Sequence, residues 1–447
     1  MCDAMVALGD VTKKSSVIFA KNSDRPAGEC QVLHFSPSRK PRPDGKVRCS
    51  YVQVPESEVA LATIGCRPYW CWGYETGVNE AGVVGGNTAI FTRSLQLNED
   101  IQPPGLTGMD LLRFGLERGD TAEKAVEVVV GLLEKYGQWG SAVQGQDHDE
   151  GYYENAFLLT DRKEAWVLET TGRRWISRRI DSGYWALSNQ PTIRDEWTSI
   201  SPDIKDLAQD MEWWKPERGE FDFARVYGDH EHYSRQVSHI RWKRTSGLLE
   251  KNKGAIDVSS MMQILRDHYE DTFLDGPQFH QFLPDFHTVC MHDSLGKFTW
   301  GNTATSLIVE LEQDGTAPAR IFLAYLPPCT SIYIGFAWFD MLPEMLTRPG
   351  KAGLDVCEPK SAPQDTFDAS SLWWRFHRIV EAVREDPKSR YPETFELFRP
   401  IEQRNIEKVS VLHNTDAKQA DWARLIEEQL LQAITAMDTL EIKWGIT

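Results

Sequence analysis

The sequence predicts an α+β fold, with two layers of antiparallel sheet flanked by helices and a C-terminal helical extension. Three observations carry this expectation. Short runs over 156–190 and 287–338 alternate apolar with polar residues or are rich in β-branched and aromatic ones, as antiparallel strands do. Around and between them, at 109–133, 235–268 and beyond 365, apolar residues recur at helical spacing. The 447 residues, 41% apolar and 26% charged, describe a folded chain whose core needs no disulfide or metal staple.

In chain order, residues 3–8 and 16–20 read as a hairpin turning at Gly9 and Asp10. Residues 30–35 form a further strand before a Pro-rich loop over 36–45, and 51–64 hold two more strand candidates leading into a glycine-rich stretch at 73–87. Thr107 is placed to cap a helix over 109–118. Asp120 or Thr121 caps the next, in which Ala125, Val128, Val129, Leu132 and Leu133 recur on one face. AFLLTD, EAWVLETT, RRWISRRI and YWALSNQ then predict a four-stranded meander. Residues 203–232, acidic and rich in Trp, read as an irregular surface excursion. Helices are expected over 235–251 and 259–268, the second with Met261, Met262, Ile264 and Leu265 as its apolar stripe. HTVCMH, KFTWGN, TSLIVELE, RIFLAYL and SIYIGFAW predict five more strands. A polar connector over 350–365 precedes the helical remainder, notably 422–437.

The net charge of −17 repels phosphate backbones and anionic headgroups, so neither nucleic acid nor a membrane surface is an expected partner. No apolar run approaches the roughly 18 residues of a membrane span, and a basic segment followed by an apolar secretory core is missing at the N-terminus. The expected address is cytoplasmic. Eight scattered Cys are then reduced thiols, and the 16 Trp serve packing before any aromatic cleft.

Cys2 follows the initiator Met, whose removal would place an α-amine and a thiol on one residue. The amine, with an ordinary pKa of about 7.7–8.0, can act as base and acid while the thiol attacks a carbonyl. The predicted hairpin returns Lys21, Asn22, Asp24 and Arg25 beside Cys2; the bland alternative is that Asn22, Ser23 and Asp24 only form a turn. The HxxCxH string of His287, Cys290 and His292 invites zinc. On a strand, however, Cys290 and His292 face one side and His287 the other, so the expectation is a core role and no metal. Gly82 to Gly86 lacks the Lys and Ser/Thr of a phosphate loop, and no cofactor is expected.

Cys2-Asp3 together with Lys21-Asn22-Ser23-Asp24-Arg25 resembles the secernin and cysteine-type dipeptidase family of N-terminal-nucleophile hydrolases. The stretch from Gly77 to Val83 running into Gly86-Asn87 is similar to a segment shared with choloylglycine hydrolases and penicillin V acylases, more distant relatives. Leu187-Ser188-Asn189-Gln190-Pro191, MQILRDH ending at His268 and VCMH ending at His292 extend the match over roughly 2–340. The resemblance implies a four-layer αββα sandwich over 2–348, with 349–447 as the helical extension. It implies Cys2 as nucleophile and, through its amine, base, with Asp24 accepting a hydrogen bond from that amine. Lys21 stands where the bile-salt and penicillin branch carries Arg; it keeps the charge that favours thiolate without the planar fork. Asn87 would donate to the oxyanion and Asn189 would orient the amine or the scissile carbonyl. An Arg in the following helix completes the set; Arg241 is preferred to Arg235 by its distance from Asn189. The implied reaction is hydrolysis of a small linear amide, a dipeptide or an N-acyl amide, through a thioester, and a homo-oligomer is compatible with it. The alternative is a non-catalytic, secernin-like regulatory or scaffold protein whose C-terminal helices bind a partner.

Overall fold

The computed structural model describes residues 1–58, 60–97, 103–275, 287–293, 301–315, 317–338 and 341–446. Among them run the strands β1 (Cys2–Ala7), β2 (Val17–Pro26), β3 (Gln31–Ser36), β4 (Lys46–Arg48), β5 (Gln53–Pro55), β6 (Thr63–Pro68), β7 (Thr76–Asn79), β8 (Val84–Ile90), β9 (Glu154–Thr160), β10 (Ala165–Thr171), β11 (Arg174–Ile180), β12 (Tyr184–Leu187), β13 (Ser199–Ile200), β14 (Gly301–Leu311), β15 (Arg320–Tyr325) and β16 (Ile334–Ala337). The α-helices are α1 (Gly108–Arg118), α2 (Ala122–Tyr136), α3 (Ile204–Asp210), α4 (Phe223–Tyr227), α5 (Arg235–Lys251), α6 (Val258–Leu265), α7 (Glu344–Thr347), α8 (Leu372–Glu385), α9 (Pro387–His413) and α10 (Gln419–Trp444).

Antiparallel pairing gives a six-stranded sheet in the order β12-β1-β2-β14-β15-β16 and an eight-stranded sheet in the order β13-β11-β10-β9-β8-β7-β6-β3. The sheets stack through β1 and β2 against β8 and β9. Helices α1 and α2 cover the outer face of the larger sheet, and α5, α6, α8, α9 and α10 that of the smaller, making an αββα sandwich. Covering both faces explains the apolar strands. In β10, Trp166 and Leu168 join the core under α1 and α2 while Val167 between them joins the inter-sheet core, so consecutive residues are all buried.

The helix caps follow the sequence. Thr107 Oγ1 accepts from Asp110 N at 3.1 Å and Asp110 Oδ2 accepts from Thr107 N at 3.1 Å, a reciprocal capping box, and Thr121 caps α2 through Lys124 N. The C-terminal helices dock on the smaller sheet. Gln429 of α10 holds both backbone groups of Gly335 in β16, and Trp373 Nε1 of α8 donates to Ala304 O of β14. No helix among the described residues is long and apolar enough to cross a membrane.

Three expectations are corrected. The predicted four-stranded meander stops at three strands: β9, β10 and β11 are neighbours in the larger sheet, but β12 crosses to the smaller one, where β1 supplies its backbone partners. The 203–232 stretch is not an irregular excursion: it holds α3 and α4 and buries Ile204, Ala208, Phe221, Phe223, Val226 and Tyr227, with Trp213 edge-on to Tyr227. Its charges occupy positions between those apolar anchors. Residues 287–293 are not a strand. Their backbone is held by other partners: Cys290 N donates to Asp267 O, Val289 O accepts from Asn22 Nδ2, and Met291 N donates to Thr303 Oγ1. Of KFTWGN, residues 297–300 lie outside the described residues and 301–302 open β14.

Candidate active site

β1 is an interior strand, and its register sets Cys2 opposite Ser23 and Asp3 opposite Asn22, as the hairpin expectation requires. Cys2 is 5% exposed. Its backbone nitrogen donates to Asn189 Oδ1 at 3.0 Å, just past the end of β12, and Asn189 Nδ2 donates to Ala89 O at 2.8 Å across the sheet interface. Arg241, fully buried on α5, closes this side. Its Nη2 donates to Asn189 Oδ1 at 2.6 Å, its Nη1 to Asp3 Oδ2 at 2.5 Å and Cys2 O at 3.3 Å, and its Nε to Val237 O at 2.9 Å. A planar fork on four acceptors at once suits Arg and not Lys. Arg235 opens the same helix, and its side chain lies outside the described residues.

On the other side of Cys2, Lys21 Nζ donates to Ser23 Oγ at 2.6 Å and to Glu75 Oε2 at 3.1 Å. Gly86 admits this lysine between the sheets, because a Cβ there would lie 2.5 Å from Lys21 Cδ. Glu75 also takes Arg25 Nη1 at 3.2 Å, and the Cys2 thiol lies 3.9 Å from its Oε2. Arg25 is held in turn by both oxygens of Glu29, at 2.9 and 3.0 Å.

These contacts bias every titration. Burial first, then Glu75 and Asp24, push the Cys2 thiol up, against Lys21 and the N-terminal amine. Burial alone would lower Lys21, but the Cys2 and Glu75 charges outweigh it and raise it. Burial alone would raise Glu75, but Lys21 and Arg25 outweigh it and lower it. Lys21 and Glu75 thus favour each other's charged forms, and burial holds the Cys2 thiol above its ordinary value beside them.

The Asp24 carboxyl accepts from Thr303 Oγ1 at 2.8 Å and lies 3.9 Å from Arg241 Nη1; burial pushes it up to about 6 against the pull of the N-terminal amine and Arg241. Its backbone carbonyl accepts from the Met1 amine at 3.1 Å, an amine that burial lowers. Asn87 is buried on β8, with Nδ2 donating to Asn155 Oδ1 at 3.0 Å and its backbone nitrogen to Glu75 O at 3.3 Å. No hydrogen bond among the described residues joins its side chain to the Cys2 group. Cys2, Lys21, Asp24, Asn189 and Arg241 thus form one connected cluster, and Asn87 touches it through the backbone of Glu75.

Glu75, Asp3 and Thr303 were not assigned by sequence reasoning. For the first two a signal exists: each is the lone acid inside an apolar run, YWCWGYETGV and CDAMVALG, where an unpaired charge would be too costly to keep. Thr303 carries no such mark. Within HxxCxH, Cys290 and His292 come together while His287 stays apart, and His268 and Cys329 complete the group instead. A cavity of about 980 Å³ is lined by Gln190, Pro191 and Thr192, which follow Asn189 in the chain, and by Trp185, His239 and Trp242; none of the Cys2 cluster lines it.

Among solved structures, a mutant of the conjugated bile acid hydrolase from Clostridium perfringens is similar over 73% of this chain and 89% of its own, at 14% identity and a TM-score of 0.38. The Caenorhabditis elegans ortholog of N-acylethanolamine-hydrolyzing acid amidase is similar over 69% of this chain and 92% of its own, at 10% identity and a TM-score of 0.33. Residues 16–280, more than half of the chain, match the profile of peptidase family C69. The chain belongs to peptidase family C69 and is a hydrolase acting on amide or peptide bonds.

Proposed function

We propose that the chain is a cysteine N-terminal-nucleophile amidohydrolase that cleaves a small linear amide, a dipeptide or an N-acyl amide, through a thioester on Cys2 once Met1 is removed. The observation that carries the reading is the 3.0 Å bond from the Cys2 backbone nitrogen to Asn189 Oδ1, an acceptor fixed from behind by Arg241 at 2.6 Å. After loss of Met1, a nitrogen held in this way becomes an α-amine oriented next to its own thiol. Asp24 Oδ2, buried and without a hydrogen-bond partner among the described residues, is at hand to accept from the ammonium form.

The thiol proton passes to the α-amine, and the thiolate attacks the scissile carbonyl carbon. Lys21 supports the thiolate electrostatically, and the second Nδ2 hydrogen of Asn87 donates to the developing oxyanion. Collapse breaks the C–N bond, and the α-ammonium returns its proton to the leaving amine. Water then gives a proton to the amine and attacks the thioester; collapse breaks the C–S bond, the thiolate takes that proton back from the α-ammonium, and the carboxylic acid leaves as carboxylate with its proton lost to solvent. Asp3, Arg241 and Glu75 are positioning residues.

The test is a panel of dipeptides and N-acyl amino acids offered to a chain that begins at Cys2, with intact mass after rapid quench. An acyl adduct on the Cys2 peptide, and hydrolysis lost when one residue is left before Cys2, is the expected result. Turnover without an adduct, or undiminished by the extra residue, refutes the mechanism.

A further inference from the structure

Away from the Cys2 cluster, four side chains that the proposed reaction does not use meet in the interior. His268 follows α6, Cys290 and His292 belong to the segment over 287–293, and Cys329 sits in the single helical turn Pro328–Thr330. They are 5%, 0%, 1% and 2% exposed, so bulk water does not solvate them, and their ligand atoms all lie within 4.8 Å of one another. We propose that His268, Cys290, His292 and Cys329 bind one zinc ion as a closed, four-coordinate structural site.

The three ligand-to-ligand distances from His292 Nε2 are close to the edges of a zinc tetrahedron, and the remaining ones are within 4.8 Å. Zinc bound to sulfur at about 2.3 Å and to imidazole nitrogen at about 2.0–2.1 Å sets nitrogen–nitrogen edges near 3.3 Å and sulfur–nitrogen edges near 3.6 Å. Here His268 Nε2 lies 3.1 Å from His292 Nε2, and His292 Nε2 lies 3.2 Å from Cys329 Sγ and 3.6 Å from Cys290 Sγ. Two thiolates and two neutral imidazoles suit a borderline-soft divalent ion. Each thiol gives its proton to solvent on binding, so the filled site carries no net charge, which a dry interior tolerates. His268 Nδ1 is 2.9 Å from Glu270 Oε1, the outer-shell carboxylate contact that presents Nε2 to a metal. With four protein ligands no position is open for substrate, so the ion is structural.

Its place gives it a task. Asn22 Nδ2, on β2, donates to Leu265 O at 2.9 Å and Val289 O at 2.8 Å, on the two segments that carry His268 and Cys290. Thr303 Oγ1 accepts from Met291 N at 3.1 Å and donates to Asp24 Oδ1 at 2.8 Å. Zinc would pin three segments, remote in sequence, into the wall against which Asp24 rests.

The experiment is elemental analysis of the full chain, purified reduced and without nickel affinity steps, as wild type, Cys329→Ser and His148→Ala. The last variant controls for the partly exposed Asp147–His148–Asp149 group. One zinc per chain in wild type and His148→Ala, falling at least tenfold in Cys329→Ser, is expected. Should Cys329→Ser not fold, wild type stripped of zinc and titrated with Co²⁺ is expected to show thiolate-to-cobalt charge transfer and tetrahedral visible bands. The proposal is overturned by wild type that takes up less than a tenth of an equivalent of added zinc, by zinc retained in a folded Cys329→Ser, by zinc lost in His148→Ala, by an octahedral cobalt spectrum, or by a Cys290–Cys329 disulfide in the reduced preparation.

Discussion

Glu75→Gln replaces the carboxylate on which Lys21, Arg25 and the Cys2 thiol converge with a neutral group of the same shape. Arg25 keeps both oxygens of Glu29, whereas Lys21, wholly buried, loses the carboxylate 3.1 Å from its ammonium. Breaking a buried pair by removing one partner costs about 3–5 kcal/mol, and since the amide oxygen still accepts a hydrogen bond the lower end applies, about 3 kcal/mol. The second effect has the opposite sign for reactivity. Glu75 raises the Cys2 thiol, so its removal lowers that pKa and leaves Lys21 to pair with the thiolate. Guanidinium unfolding reads the first effect. The pH dependence of iodoacetamide labelling, followed on the N-terminal peptide, reads the second, with the midpoint moving to lower pH. An unchanged unfolding midpoint together with a labelling midpoint that stays or rises would refute the account of this cluster.

Other perturbations read the remaining parts. Cys2→Ala is expected to abolish hydrolysis with the unfolding midpoint nearly unchanged, and activity in that variant at a comparable rate would exclude the thiol as nucleophile. Arg241→Lys can reach Asp3 but cannot hold Asn189 and Cys2 O as well; a loss of roughly 2 kcal/mol and at least tenfold in kcat is expected from unfolding and steady-state rates. Asn87→Ala should slow acylation in single-turnover kinetics by about 100-fold with little change in affinity, and an effect confined to KM assigns Asn87 to ground-state binding. Folded Asp24 holds its proton up to pH about 6, against an ordinary value of 3.8 unfolded, so the folded state binds more protons between these values and its stability falls as pH rises through them. Asp24→Asn should therefore lose less stability than wild type between pH 4 and 7 in urea unfolding. The paired comparison removes the contributions of Asp110, Glu154 and Glu169, whose carboxyls burial also raises.

Strands, helices and caps were legible wherever local pattern and tertiary burial agree. Thr107 announces α1 because a capping box is a local device, and the β9–β11 meander announces itself because its turns are short and its runs β-prone, whereas β12 has the same local look but crosses to the smaller sheet and pairs with β1. Legibility stopped where partners are remote. VCMH has the composition of a strand, yet the side chains of Asn22 and Thr303 replace ladder partners, which no local pattern encodes. The same gap hid Cys329, a lone Cys in a Pro-Pro-Cys turn until the fold brings it against His292. Within the site, Lys21 and Asp24 followed from a hairpin, but Arg241 needed the resemblance, because its partners Asp3 and Asn189 lie 238 and 52 residues away.

The interior position of β1 has a consequence in time. Its neighbour β2 is translated almost at once, but β12, which pairs Leu187 with Ala4, leaves the ribosome far later. At about 5–20 residues per second that interval is roughly 10–40 s, and α5 with Arg241 follows it. Until then the first strand has an open edge and its leading residue is within reach of an aminopeptidase. Once β12 and α5 dock, Cys2 is sealed and the amine in front of it is tied to Asp24 O. On the proposed mechanism, trimming of Met1 would have to precede that docking, and a chain that missed the interval would fold around its own unprocessed end.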